Sequence, residues 1–267
     1  QTKRGNTWLN GHMKVQDKQY CDTSKFSVRL IEKSVAKNII VKHHYSKQWT
    51  KVSYALGLFY ENDTEHKFFG GVNQELIGVI CYGDPIGRHC GASISETLDR
   101  TEVMELVRLF VFDGYGCNIE SWFVGKSFEW LKENAKQIRA LISYSDPVQG
   151  HKGQIYQATN WLYQGTSIRP NDTWSFRFEE GGKWIHGRTM APYWGTTSPF
   201  KLQELIDKPF WVKREPKKHR YIYILGKDKK DKKELLKSIK HPLYSYPKTL
   251  EEYTEEILKL EPIERVK

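Results

Sequence analysis

The stretch TEVMELVRLFVFDGYGCNIESWFVGKSFEWLKENAKQIRALISYS, residues 101–145, constrains the fold more than any other part of the chain. Its first part, 101–112, is a strand that grows more apolar towards its end. DGYGCN (113–118) is a glycine-bearing turn. IESWFVGKSFEWLKENAK (119–136) has helical spacing, with Trp122, Phe123, Trp130 and Leu131 on its apolar side. IRALISYS (138–145) reads as a buried strand. A strand–helix–strand crossover demands a sheet with at least one helix laid on its face.

The flanking segments extend that sheet. FSVRLIE (26–32), SYALGLFYE (53–61) and QELIGVICYGDP (74–85) read as strands, the last stopping at Pro85. KSVAKNIIVKHHYS (33–46) has helical spacing through Val35, Ile39 and Ile40. HKGQIYQATNWL (151–162) reads as helical, a β-rich aromatic section follows to about residue 200, and LEEYTEEILKL (250–260) reads as a short terminal helix. The expected fold class is α/β (α+β), with antiparallel strands early and the crossover in the middle. The expected organisation is a polar arm (1–25), a catalytic domain (26–205) and a basic C-terminal extension (206–267).

Charge is what marks off the extension. The net charge is +10, and between Lys208 and Lys240 the chain carries 13 Lys/Arg against 4 Asp/Glu. A local basic block of this kind suits a polyanion, or serves as a solubilising tail. No apolar run reaches the roughly 18–20 residues of a membrane span. QTKRGNTWLNGH has neither an initiator Met nor the apolar core of a secretion signal, so a trimmed chain and a cytoplasmic location are expected. Cys21, Cys81, Cys90 and Cys117 form no CxxC pair, which argues against a zinc ribbon or a disulfide framework.

Three stretches could carry chemistry. In the first, Gly114, Gly116 and Asn118 lead into Ser121 and the following helix. A strand, a glycine turn and a helix start can cradle phosphate with backbone N–H groups, although glycine also serves there for steric reasons alone. The second is LISYSDPVQGHKGQIYQATNW (141–161), where Ser143, Tyr144, Ser145, Asp146 and His151 crowd the end of an apolar strand. Asp-Pro and Gly are common turn punctuation, but a turn does not require the accompanying serines, tyrosine and histidine. The third is KHHYSKQW (42–49), which sets His43 and His44 beside the hydroxyls of Tyr45 and Ser46. Arg108 adds a charge inside an apolar strand, suited to a salt bridge with Glu105 or to an anionic ligand.

HHYS, ELVRLFV with its glycine turn and NIES, and LISYSDPVQGHKGQIYQATNW together resemble the phage Mom family of DNA-adenine modification proteins, a divergent branch of the GNAT acyltransferase superfamily. The resemblance covers roughly residues 26–180. It implies a GNAT-like mixed, mostly antiparallel sheet flanked by helices, with a cofactor site in a central splay. It implies transfer of a carbamoylmethyl group to the exocyclic amine of adenine in phage DNA, which hides restriction sites, inside a phage-infected or prophage-bearing bacterial host. The active-site positions it implies are His44, Tyr45, Ser46, Arg108, Ser143, Tyr144 and Asp146.

The cofactor site would use Arg108, Gly114, Gly116, Asn118 and Ser121 for acetyl-CoA or a related acyl donor. DGYGCN departs from the usual GNAT pyrophosphate pattern. The product is joined through a methylene carbon and bears an extra amide nitrogen, which simple acetyl transfer does not give. A redox metal such as iron or manganese, held by His44 and Asp146, is one means of activating such a carbon. Double-stranded DNA is the expected partner, with Lys217, Lys218, Arg220, Lys229, Lys230, Lys232 and Lys233 on its phosphates. Tyr144, Tyr156, Trp161, Trp174 and Trp184 are candidates to stack on a flipped base, or to sit in the core. A conventional acetyl-CoA-dependent N-acetyltransferase and a non-enzymatic nucleic-acid-binding protein are the competing functions.

Overall fold

A computed structural model describes residues 22–62, 73–87, 89–166, 173–249 and 254–263. In chain order the elements are β1 (Phe26–Leu30), α1 (Lys33–His43), β2 (Tyr54–Asn62), β3 (Asn73–Gly83), α2 (Cys90–Ile94), β4 (Val103–Val111), α3 (Ile119–Asn134), β5 (Ala140–Ser145), α4 (Gln154–Ala158), β6 (Leu162–Thr166), β7 (Thr173–Arg177), β8 (Ile185–His186), α5 (Gly187–Trp194), α6 (Pro199–Gln203), β9 (Phe210–Glu215), β10 (His219–Ile224), α7 (Lys229–Lys237) and β11 (Ile257–Leu260).

They form two sheets in two compact units. The first unit holds the described residues up to Tyr144, with Gly153–Gly165 and Arg220–Tyr246. Its seven-stranded sheet runs β1-β2-β3-β4-β5-β10-β6. The steps from β1 to β4 are antiparallel and the β4–β5 step is parallel, joined by α3. This is the mixed, mostly antiparallel sheet flanked by helices that the sequence leads one to expect. The second unit holds Ser145–Lys152, Thr166–His219 and the chain from Pro247 onward. Its four-stranded sheet has the order β11-β9-β7-β8.

Burial explains the helices of the first unit. On α1 the stripe that meets the sheet is Ala36 and Ile40, with Ile39 at its margin; Val35 is exposed. On α3, Ile119, Phe123, Val124, Phe128 and Leu131 pack on the opposite face of the sheet, against Leu56, Leu58, Ile80, Tyr82 and Leu106. Trp122 and Trp130 flank that stripe rather than fill it. A buried hydroxyl pair ties sheet to helix. Ser127 gives its one proton to the Val124 carbonyl (2.6 Å), so the Tyr82 hydroxyl, 2.6 Å away, donates to Ser127.

Three segments depart from the sequence reading. The helix expected over 151–162 is only Gln154–Ala158. Gly153 enters it at φ +79° and Asn160 leaves it at φ +59°, so the chain turns and β6 begins at Leu162. The basic stretch is no simple extension: HRYIYI is the buried strand β10, between β5 and β6, and α7 is tied to the sheet through Asp231. Arg139 bonds Asp231 at 2.5 Å and Glu102 at 3.1 Å. At the C-terminus, Ile257–Leu260 pairs with β9 as a strand instead of ending a helix. Residues 250–253 of that expected helix, and residues 1–21 of the arm, lie outside the described residues.

Gly153 shows how tightly the joint is packed. A Cβ there would stand 2.4 Å from the Tyr221 ring, in a backbone conformation that already favours glycine. Gly153→Ala should therefore cost roughly 2 kcal/mol or more. Urea unfolding of the two proteins would show this as a lower midpoint at unchanged slope.

Candidate active site

The site begins where the parallel ladder stops. β4 and β5 pair only at Val103–Ala140, Met104–Leu141 and Glu105–Ile142, although both strands run on. The cause lies in β4 itself. Its register with β3 slips between Cys81–Arg108 and Tyr82–Leu106, so Val107 is an extra residue on β4. A bulge bends the strand that carries it and interrupts pairing. Beyond Glu105 the two strands part at their carboxyl ends, where open α/β sheets bind ligands.

Ser143 stands at that parting. It is buried, and its hydroxyl donates to the Leu106 carbonyl at 2.7 Å, replacing a ladder hydrogen bond that the splay removes. The Tyr156 hydroxyl is 2.6 Å from Ser143 Oγ. Ser143 has one proton and the carbonyl claims it, so Tyr156 donates to Ser143. The relay runs Tyr156 to Ser143 to Leu106 and ends on a group that cannot take a proton. Burial pushes the Tyr156 phenol well above its ordinary pKa; the Ser143 contact pulls the other way, and charge on Tyr45 or Glu105 adds to the rise. Tyr156 therefore stays protonated at neutral pH.

The HHYS run closes α1. His44 caps its end, its N–H bonding the Ile40 carbonyl, and the buried ring accepts at Nδ1 from the Ser46 amide (3.1 Å), with Ser46 Oγ at 2.9 Å. The exposed Tyr45 ring lies against His44, centroids 4.2 Å apart. Arg108 braces this loop: Nε donates to the Gln48 carbonyl at 3.1 Å and an η nitrogen to Val107 at 2.6 Å. Among the described residues no carboxylate pairs with Arg108; two carbonyls hold the guanidinium.

The glycine turn joins β4 to α3. Gly114 and Gly116 have φ of +103° and +98°, and Asn118 is left-handed at +67°. Asn118 offers the helix no side-chain cap, and Ser121 Oγ turns back to the Asn118 carbonyl at 2.9 Å. Tyr115 packs inward on Tyr60, which leaves the glycines outward with open space over Gly114. An exposed turn with an uncapped helix start fits a phosphate of an acyl-CoA donor, although Glu120 occupies the same first turn. Arg108 belongs to a different surface. It pairs with Cys81 in the sheet, on the side that meets α1, whereas α3 covers the other side. The structure does not gather Arg108 with Gly114, Gly116, Asn118 and Ser121.

Residues 25–248 match the family model described as the Mom protein family. The chain belongs to that family. It is 26% identical over 169 residues to methylcarbamoylase mom of Escherichia phage Mu, and that alignment spans 63% of this chain and 63% of the relative. Solved structures with which it aligns include Arabidopsis thaliana NAA60 in complex with acetyl-CoA, at TM-score 0.41 and 10% identity over 74% of this chain and 99% of that one. The ribosomal-protein-S5-alanine acetyltransferase from Vibrio fischeri aligns at TM-score 0.39 and 12% identity, over 75% and 93% of the two chains.

In this Mom-family chain the remaining candidates fall in several places. Asp146 caps the turn after β5, accepting from the Val148 amide at 3.1 Å, and pairs with Lys218 at 3.2 Å. His151 is held below the ordinary imidazole range by burial, with Asp146 opposing. Tyr144 is half-buried against the apolar cluster around Ile142, and Ser145 is buried. The metal expectation finds no support in the geometry. Both His44 and Asp146 are engaged as described, and among the described residues no three His, Cys, Asp or Glu side chains are grouped to hold an ion.

One further expectation is corrected. Arg220 cannot face DNA phosphates: it is 5% exposed on β10 and donates to Ser93 Oγ at 2.7 Å. Of the two alternatives for Trp161 the structure takes the core, since it is fully buried against Phe128 and Tyr156. Lys217, Lys218, Lys229, Lys230 and Lys233 are exposed, whereas Lys232 is half-buried with its ammonium 5.1 Å from the Tyr223 ring centre. No spacing rule links Tyr156 to Ser143; its one signal was the polar, aromatic wording of the strand–helix joint.

Ser143→Ala should leave the Leu106 carbonyl unpaired in a buried site and cost about 1–3 kcal/mol. Tyr156→Phe should cost less, and the double variant should show a coupling of about 1 kcal/mol. A double-mutant cycle by chemical denaturation measures this; strict additivity would mean the hydroxyls do not bond.

Proposed function

We propose that this protein adds a carbamoylmethyl group to the exocyclic amine of adenine in double-stranded DNA, shielding phage DNA from restriction. Membership of the Mom family across residues 25–248, a span that includes the splay and its Ser143–Tyr156 pair, is the observation that carries this reading. The amine lies in the major groove of a stacked base, so the base must be flipped to meet a buried group. Ser143 and Tyr156 would hold the walls of the splay at fixed separation. The His44–Ser46 loop, braced by Arg108, would present Tyr45 at its edge. Gly114, Gly116, Asn118 and Ser121 would seat acetyl-CoA or a related acyl donor. The donor's phosphates would meet backbone N–H groups at the start of α3.

Asp146 would act through its salt bridge and cap, shaping the turn that follows β5. The exposed lysines would hold DNA phosphates and make binding salt-dependent. A second reading, N-acetylation of an amine by acetyl-CoA, draws support from the same exposed glycine turn.

Nucleoside mass spectrometry of plasmid DNA from cells expressing the chain separates these readings. A deoxyadenosine adduct of carbamoylmethyl mass is expected, lost in Ser143→Ala and reduced in Asp146→Ala. Unmodified DNA from folded protein would turn attention to acetylated amines. Replacing Lys229, Lys230 and Lys233 together by Gln should flatten the salt dependence of duplex binding, by about 0.9 in log–log slope for each phosphate no longer neutralised. An unchanged slope would assign phosphate binding to other residues.

A further inference from the structure

The second unit carries a surface that the chemistry of the splay does not use. Its sheet is two-faced. Phe176 and Val212 lie in register across β7 and β9 and point to the unit's core with Phe210, Met190 and Leu202, and Leu260 of β11, opposite Phe210, packs against them. One residue along, the register puts Arg177, Trp211 and Lys259 in a second row on the opposite face. Lys213, two residues from Trp211, shares that face. Trp184, from the segment before β8, completes the group.

The contacts within it are cation–π. The Arg177 guanidinium sits 4.8 Å from the Trp184 ring centre and 5.2 Å from that of Trp211. The Lys213 ammonium is 4.8 Å from Trp184, and that of Lys259 is 5.8 Å from Trp211. Glu255 pairs with Lys213 and Glu261 with Lys259. Arg177 has no carboxylate partner among the described residues, and its Nε is buried without a hydrogen bond. A fixed guanidinium between two half-buried indoles, with lysines on both sides, presents one uncompensated charge beside flat aromatic surface.

We propose that this face binds an unpaired strand of DNA, with a phosphate on Arg177, flanking phosphates on Lys213 and Lys259, and a base stacked on Trp211 or Trp184. Charge complementarity selects a polyanion, and the indoles select one whose bases are free to stack. The choice of DNA rests on the adenine-modification reading, since opening a duplex to reach the amine exposes unpaired bases.

The test is fluorescence anisotropy of the full chain with labelled oligothymidine, the matched duplex and oligouridine, beside Arg177→Gln, Lys259→Gln and Trp211→Ala. Each variant should weaken oligothymidine binding, the Trp211 change roughly tenfold. If Trp211→Ala is misfolded by circular dichroism, Trp211→Phe should keep most of the affinity while Arg177→Gln still loses it. Oligothymidine bound equally by wild type and the charge variants would overturn the proposal, as would tighter binding of oligouridine. Nucleoside mass spectrometry on the same proteins separates the two readings. An adduct with wild-type protein, together with unaltered strand binding by the variants, sinks this surface and leaves adenine modification standing. Loss of strand binding in the variants without any adduct from wild type sinks the modification and leaves the surface.

Discussion

The site depends on a parallel ladder that ends early. β4 and β5 hold each other for three residue pairs and then separate, because Val107 is one residue too many on β4. A backbone carbonyl stripped of its ladder partner in a buried place must be satisfied some other way. Ser143 does this for Leu106, and Tyr156 does the same for Ser143. The separation of the strands is thereby fixed by hydroxyl side chains, and polar atoms enter an otherwise apolar sheet. The HHYS loop follows the same logic, since Arg108 holds the Gln48 carbonyl from the bulged strand.

The surrounding scaffold supports that opening. α3 covers one face of the sheet and α1 the other. The Arg139 fork ties β5's start to Glu102 and to Asp231 on α7, with all three side chains largely shielded from water. Breaking such a network leaves a shielded charge uncompensated, so the ties work as a set. The glycine turn is the exposed counterpart: nothing packs over Gly114.

In the second unit the strand period decides what each residue can do. TWSFR and FWVKRE read as mixed aromatic and basic strings, which alone favour neither core nor surface. The antiparallel register sorts them, sending Phe176 and Val212 inward and Arg177 and Trp211 to the other face. Charge counting points to the whole stretch from Lys208 to Lys240; the structure buries Arg220, leans Lys232 on Tyr223 and leaves the other lysines of α7 at the surface.

By itself the sequence determined the early antiparallel strands, the crossover through α3 and the presence of polar chemistry at the end of β5. Those are local properties: periodicity of 2 or 3.6, glycine at a turn, hydroxyls after an apolar run. It also carried the family likeness, in runs of contiguous residues. Only the tertiary structure decided that HRYIYI is a sheet strand, that ILKL pairs with β9, that Tyr156 meets Ser143, and that Arg108 faces away from the glycine turn. Each of these depends on which distant strand lies alongside, and on a one-residue slip in register that turns side chains to the other face. A single inserted residue at Val107 has no signature in the sequence of β4, yet it is what opens the sheet.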